Sequence, residues 1–209
     1  RSQTVTGVQT CALPISRMVC LIAFPAFFGA ALVAPELIGT VFGDKWLPLS
    51  AQTFQVLAFV GVLHAAFYFN AAVMMASGKP QWRLMISVVN AVTNVVAFAL
   101  VVRWGIVAVA AAYVVQSYLL APLPLSLVRR LIGIEWKKYL SAYGPPLLGT
   151  LAIAAVVWSV RWMLAGTGGD VAVLALSIPL SAVAYVITIG LVAPKRLQQL
   201  QGLMARIVS

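Results

Sequence analysis

The residues of this chain whose types and spacing could do chemistry are polar side chains set inside long apolar stretches. Ser87, Asn90 and Asn94 stand at i, i+3 and i+7, so a helix would carry all three on one face. Five residues are candidates for lining a polar cavity: His64, Asn70, Asn90, Asn94 and Gln116. Their neutral groups suit hydrogen bonding to a polar ligand. The alternative is hydrogen bonding between packed helices, which contributes about 0.6 kcal/mol per contact.

Chemistry of other kinds has little support in the sequence. The chain has one histidine and four acidic residues, and no hydrolytic triad, glycine-rich phosphate loop or metal-ligand cluster is visible. Cys11 and Cys20 stand alone, so they form no metal or redox motif. His64 is the one mid-stretch group that titrates near neutral pH, which leaves proton coupling open beside a structural role. We therefore expect no enzyme activity and no cofactor.

The composition identifies the solvent around these residues. Hydrophobic residues make up 63% of the 209-residue chain and charged residues 9%, and the mean hydropathy is +1.02. Soluble domains have roughly a quarter charged residues and about half apolar ones. The net charge of +10 comes from short basic clusters between apolar runs rather than one patch, which argues against nucleic acid as a partner. Membrane lipids are the expected surroundings.

Six stretches are long enough to cross a bilayer, which takes about 20 mainly apolar residues. They cover residues 18–42, 53–76, 84–102, 106–128, 145–164 and 171–192. None shows the period-two alternation of a membrane β-strand. The sequence therefore predicts an all-α, polytopic membrane bundle of six transmembrane helices over residues 17–193.

Basic residues divide unequally between the two ends of these spans. One end collects ten, namely Arg17, Lys79, Arg83, Arg129, Arg130, Lys137, Lys138, Lys195, Arg196 and Arg206. The other holds three, namely Lys45, Arg103 and Arg161. Since cytoplasmic loops are enriched in lysine and arginine, the basic-rich end should be cytoplasmic, together with the C-terminus. On this view Glu36 marks the outer interface, and Arg161 extends its charge toward water there.

The topology makes a direct prediction. Cysteines introduced at Ser77 and Gly133, in the two basic-rich loops, should remain unlabelled when intact cells meet an impermeant thiol reagent. Permeabilised cells should be labelled at both positions, which serves as the control. Labelling from outside would reverse the orientation.

The two ends of the chain are expected to lie outside the bundle. Residues 5–15 resemble the in-frame translation of a sequencing adapter, so we interpret residues 1–16 as non-native and expect the natural protein to extend further at its N-terminus. In residues 194–209, the spacing of Leu197, Leu200, Leu203 and Met204 would place them on one face of a helix. They predict a short amphipathic helix on the cytoplasmic leaflet.

Three segments together carry a family resemblance. Residues 35–46 run from an outer span end into a short turn, residues 74–80 form a tight turn, and residues 104–112 begin a span with small residues. In this order they resemble the C-terminal half of the Wzx-type oligosaccharide flippase, or polysaccharide biosynthesis protein, family. That family belongs to the multidrug/oligosaccharidyl-lipid/polysaccharide exporter superfamily.

The resemblance implies a fragment of a two-lobed transporter with 12–14 helices. The family's substrate is an undecaprenyl-diphosphate-linked oligosaccharide, flipped across the bacterial inner membrane for surface polysaccharide or lipopolysaccharide synthesis. Its partners would be that lipid-linked oligosaccharide and the missing N-terminal lobe of the same chain. A diphosphate calls for cationic side chains, yet no lysine or arginine lies in the middle of the second to fourth spans.

Three other functions remain as alternatives. A drug or cation antiporter of the same superfamily would place a carboxylate within its spans, and Glu36 at an interface is the single candidate here. A membrane-embedded polysaccharide polymerase or ligase would have a large outer loop with arginine or histidine. A purely structural membrane subunit is the third.

Overall fold

The structure, a computed structural model, describes residues 18–132, 143–165 and 169–193. Over these ranges the chain is helical and contains no strand, which confirms the all-α prediction. The helices are α1 (Met18–Leu32), α2 (Ala34–Phe42), α3 (Leu49–Ala76), α4 (Pro80–Val101), α5 (Ile106–Leu120), α6 (Pro122–Ile132), α7 (Gly144–Met163) and α8 (Asp170–Val192). Short 3₁₀ turns follow α2 at Asp44–Trp46 and α4 at Val102–Trp104.

Five helical stretches of the described residues are long and apolar enough to cross a membrane. They are Leu49–Ala76, Pro80–Trp104, Ile106–Leu131, Gly144–Met163 and Asp170–Val192. The third of these contains both α5 and α6, which are separated at Ala121, just before Pro122. A sixth span exists if α1 and α2 are counted together. The chain is therefore a multi-pass membrane helix bundle.

The first span differs from its prediction. The sequence analysis treats residues 18–42 as one helix, but the structure divides them into α1 and α2, which meet at an angle of 69°. Pro35 lies in the first turn of α2. Proline has no N–H and its ring clashes with the preceding turn, so a continuous helix is disfavoured there. Residues 18–42 can still form one span, but that span is bent rather than a continuous helix.

The connections between helices depend on two glycines of the segments that carry the family resemblance. Gly78 adopts φ 68° after α3, and the Lys79 N–H donates to the Met74 carbonyl while the Gly78 N–H donates to the Met75 carbonyl. This is the Schellman arrangement that ends helices and favours glycine. Gly105, with φ 94°, makes the corresponding sharp entry into α5.

The helices form two groups joined by the first span. In one group α3 and α4 pack against α5, and in the other α7 packs along α8. Helix α2 touches both α3 and α8, so it bridges the groups. Helix α1 also packs against α3, because Cys20 and Phe24 lie in a buried cluster with Val62 and Ala66. This arrangement leaves the space between α3, α4 and α5 open on one side.

Several predictions fall outside the described residues. The segment 1–16, the amphipathic tail 194–209 and most of the basic loop between α6 and α7 are among them. They stay predictions.

Candidate functional site

A polar cavity of about 700 Å³ lies between α3, α4 and α5. Its volume is within the range of roughly 300–1,000 Å³ that ligand sites occupy. Pro124 of α6 contributes one edge. The polar residues of its wall are His64, Tyr68, Asn70, Arg83, Ser87, Asn90, Asn94, Tyr113 and Ser117. Polar groups at membrane depth are costly unless they face protein or water, so their convergence on one cavity marks a candidate site.

Helix α4 supplies a continuous polar stripe to this wall. Arg83, Ser87, Asn90 and Asn94 all line the cavity, and their spacing of three or four residues places them on one helix face. The stripe changes in character along its length. It begins with a cation in the first turn of α4 and continues with neutral hydroxyl and amide groups toward the middle of the span.

Of the five residues predicted to line a cavity, four do so: His64, Asn70, Asn90 and Asn94. Gln116 lies instead between α5 and α4, with 8% of its surface exposed. Its Nε2 donates to Asn90 Oδ1 at 3.3 Å and to Thr93 Oγ1 at 2.8 Å. Gln116 therefore holds the two helices together from behind the wall, which is the packing alternative considered for every polar residue in the spans.

Two amide groups of the wall have hydrogen-bonding capacity to spare. Asn70 Nδ2 on α3 and Asn94 Oδ1 on α4 are buried and have no hydrogen-bond partner among the described residues. One is a donor and the other an acceptor. An unmade hydrogen bond at a buried polar atom costs about 1–3 kcal/mol. Both atoms belong to residues that line the same cavity, so a polar ligand there could satisfy them.

Aromatic rings pack around His64 and Tyr113 in the cavity wall. The Tyr113 ring meets the His64 ring edge-on at 6.2 Å between centroids, and it also meets the Phe98 ring edge-on at 6.1 Å. Edge-to-face packing of this kind favours one ring orientation. His64 is thus held against an aromatic ring while it faces the cavity.

Arg83 is a charged residue of the cavity wall that was not predicted from the sequence to line it. It was counted only as a charge of the loop between the second and third spans. It nevertheless begins the spacing 83, 87, 90 and 94, and extending the stripe by one turn toward the N-terminus would have found it. The middle of the second to fourth spans still holds no lysine or arginine, but the Arg83 side chain reaches the cavity from the first turn of α4.

Other kinds of site have no support in the described residues. Within them, no group of three or more histidine, cysteine, aspartate or glutamate side chains is arranged to hold a metal ion. An ion pair joins Arg161 of α7 to Glu36 of α2, and neither residue lines the cavity.

Comparisons with known proteins agree with this architecture. The profile of the polysaccharide biosynthesis protein family matches residues 3–51. The teichuronic acid biosynthesis protein TuaB of Bacillus subtilis (strain 168) is 28% identical over 152 residues, which cover 71% of this chain. The resemblance to the polysaccharide biosynthesis protein family is confirmed. No solved structure matches the chain significantly.

Both matches cover only part of a chain. The aligned region spans 31% of the length of TuaB, so this chain corresponds to about a third of that relative. The family match begins at residue 3, inside the segment that the sequence analysis interprets as non-native. It continues through α1 and α2 to the start of α3, the region that contains the bend.

Proposed function

We propose that this chain is the C-terminal part of a transporter that flips an undecaprenyl-diphosphate-linked oligosaccharide across the bacterial inner membrane. The product would serve surface polysaccharide or lipopolysaccharide synthesis. The observation that carries the proposal is the cavity between α3, α4 and α5, with its stripe of neutral polar groups at membrane depth. Family membership supports a role in polysaccharide biosynthesis. The partners are the lipid-linked oligosaccharide, the surrounding lipids and an N-terminal lobe of the same protein.

The order of groups along α4 suits such a ligand. Sugars present many neutral hydroxyls, each able to donate and accept, and the free Asn70 Nδ2 and Asn94 Oδ1 offer both roles. The diphosphate needs positive charge, which Arg83 supplies in the first turn of α4. The N-terminus of a helix adds a positive dipole at the same place. We therefore place the sugar beside Asn90 and Asn94, and the diphosphate beside Arg83, at the cytoplasmic end.

The carboxylate that a drug or cation antiporter requires is not available in this cavity. Two acidic residues fall within the described spans, and one of them, Asp170 at the start of α8, does not line the cavity. The other is Glu36, whose two carboxylate oxygens accept from Arg161 at 2.6 and 2.7 Å. It lies on α2 and does not line the cavity. A transporter for a ligand with a hydroxyl-rich sugar portion therefore agrees better with the described residues than a cation antiporter does.

The test is a double substitution on the stripe. Asn90→Ala with Asn94→Ala, in the full-length protein, should reduce export of surface polysaccharide by roughly tenfold or more. Each amide loses hydrogen bonds of about 0.5–1.5 kcal/mol, and about 1.4 kcal/mol is a tenfold change in binding. Export would be measured by complementation of a strain that lacks the gene, with protein level followed by immunoblotting.

A matched control lies on the opposite face of the same helix. Val92→Ala with Val96→Ala has the same spacing, and these valines are 58% and 53% exposed on the outside of the bundle. Export should stay near the wild-type rate in this control. Normal export by the asparagine variant would contradict the proposal, and loss of export together with loss of the protein would favour a packing role.

A further inference from the structure

The bend between α1 and α2 leaves two backbone carbonyls without their usual helical partners. In a continuous helix the Ala31 carbonyl would accept from residue 35 and the Leu32 carbonyl from residue 36. Residue 35 is proline and has no N–H to give. An unpaired carbonyl at membrane depth costs several kcal/mol in principle, so both groups require other donors.

Two side chains from distant parts of the chain supply those donors. Gln55 Nε2, on α3, donates to the Ala31 carbonyl at 3.0 Å. Arg161 Nη2, on α7, donates to the Leu32 carbonyl at 2.6 Å. These two carbonyls thus accept hydrogen bonds from different groups of helices, one from α3 and the other from α7. Contacts with both groups therefore stabilise the bend.

Arg161 is kept in place by a third residue. Its guanidinium makes a two-pronged ion pair with Glu36, one turn into α2, through Nε–Oε1 at 2.6 Å and Nη2–Oε2 at 2.7 Å. The Glu36 side chain is 11% exposed and that of Arg161 39%. Forked pairing of this kind fixes orientation as well as adding energy. Arg161 was predicted to extend its charge toward water, and its side chain is partly exposed while it also pairs with Glu36.

We infer that the bend at Val33 is a latched hinge, which switches between the bent form and a straighter form of the first span. In the straighter form the Glu36 N–H takes over the Leu32 carbonyl, and Arg161 is released from it. Pro35 keeps the two forms close in energy, because it denies the straight helix one of its hydrogen bonds. Arg161 and Gln55 favour the bent form.

The hinge has a mechanical consequence for one end of the bundle. Helix α2 touches α3 and α8, which belong to the two helix groups. Straightening the span would move α2 away from α3, from α8 or from both. The Arg161–Glu36 ion pair lies at the basic-poor end of the bundle, which carries Lys45, Arg103 and Arg161. The movement of α2 would therefore change how closely the helices pack at that end. This inference stands without the proposed substrate, since it concerns the helix alone.

The test is a distance measured across the hinge. Spin labels on cysteines at Ile22 and Thr40, both exposed, would report it in the full-length protein in lipid nanodiscs, with the native cysteines replaced. A rise of about 1.5 Å per residue on each arm gives roughly 22 Å between backbone positions when bent and roughly 27 Å when straight. The unaltered protein should show mainly the shorter distance.

Two substitutions should lengthen the distance between the spin labels at residues 22 and 40. Arg161→Ala removes the cap on Leu32, and Pro35→Ala supplies the missing N–H to Ala31, which competes with Gln55. We expect a second, longer population in each variant and its dominance when the two are combined. Arg103→Ala is the control, because this arginine lies at the same end but stacks on Trp104 and takes no part in the bend.

Two results would overturn the hinge. One is an unchanged distance in the Pro35→Ala variant, which leaves no buried charge unpaired and so should fold even if Arg161→Ala does not. The other is an equal lengthening in the Arg103→Ala control. Because the readout is a distance rather than export, failure of the hinge and failure of the flippase proposal remain distinguishable.

Discussion

Replacing Arg83 by glutamate should abolish translocation of the lipid-linked oligosaccharide. Among the described residues, Arg83 is the one cation in the wall of the cavity, and the proposed ligand carries a diphosphate. A hydrogen bond to a charged group contributes about 1.5–3 kcal/mol, which corresponds to roughly a 10- to 150-fold change in affinity. Reversing the charge adds repulsion to this loss. Arg83→Lys should be intermediate, since it keeps the charge but not the planar fork that matches phosphate.

The measurement is the initial rate of translocation of a labelled lipid-linked oligosaccharide in vesicles that contain the full-length protein. Arg130→Glu is the matched control, because Arg130 is exposed at the same basic-rich end but does not line the cavity. The defect of Arg83→Lys should grow as salt is raised, because exposed charges are screened. If Arg83→Glu and Arg130→Glu lower the rate equally, Arg83 acts through the overall charge of that end and has no direct role at the ligand.

Replacing Gly149 by alanine should loosen the contact between α7 and α8. A Cβ at this position would overlap the Tyr185 ring, and a ring cannot yield as a flexible chain end does. Tyr185 also donates its hydroxyl hydrogen to the Leu21 carbonyl at 2.6 Å, so moving the ring breaks the tie between α8 and α1. Overpacking of a core usually costs about 1–3 kcal/mol, and we expect a midpoint of thermal unfolding lower by several degrees.

The same helix pair provides the control. A Cβ at Gly190 of α8 would meet nothing within 4 Å, so Gly190→Ala should leave the midpoint unchanged or raise it slightly, since alanine is the better helix former. Combining Gly149→Ala with Tyr185→Ala should be less damaging than the sum of the two single changes, because the smaller side chain makes room for the new methyl group. Additive losses would show that the two residues do not meet.

Much of the fold was accessible from the sequence because the solvent is lipid. A span must be apolar and helical whatever it packs against, so composition and length place α3, α4, the stretch that combines α5 and α6, α7 and α8 within a few residues of the structure. The bend between α1 and α2 was not accessible in the same way. Pro35 is visible in the sequence, but many membrane helices tolerate proline. What holds the bend here is Gln55 and Arg161, whose approach depends on the packing of other helices.

The candidate site could be predicted in outline for a similar reason. The polar stripe of α4 needs only helical periodicity, so Asn90 and Asn94 were found. Gln116 was predicted to line the cavity, but its side chain lies between α5 and α4 and bonds to Thr93. Which way this side chain points depends on how far α5 is rotated about its own axis. A single sequence without contacts does not fix that rotation. Arg83 was overlooked because it had been counted among the basic residues that set the orientation in the membrane, and an arginine can also bind a ligand.

The polar residues around the cavity have two roles: some join α4 to α5, and others face the open space. The amide link from Gln116 to Asn90 and Thr93 fastens α5 to α4 at the rear, while His64, Asn70 and Asn94 face the open space. Under the proposed function, changes at those three front positions would alter which sugar hydroxyls are recognised without disturbing how the helices meet. The same proposal implies that the lining can change with the glycan while the scaffold behind it is retained.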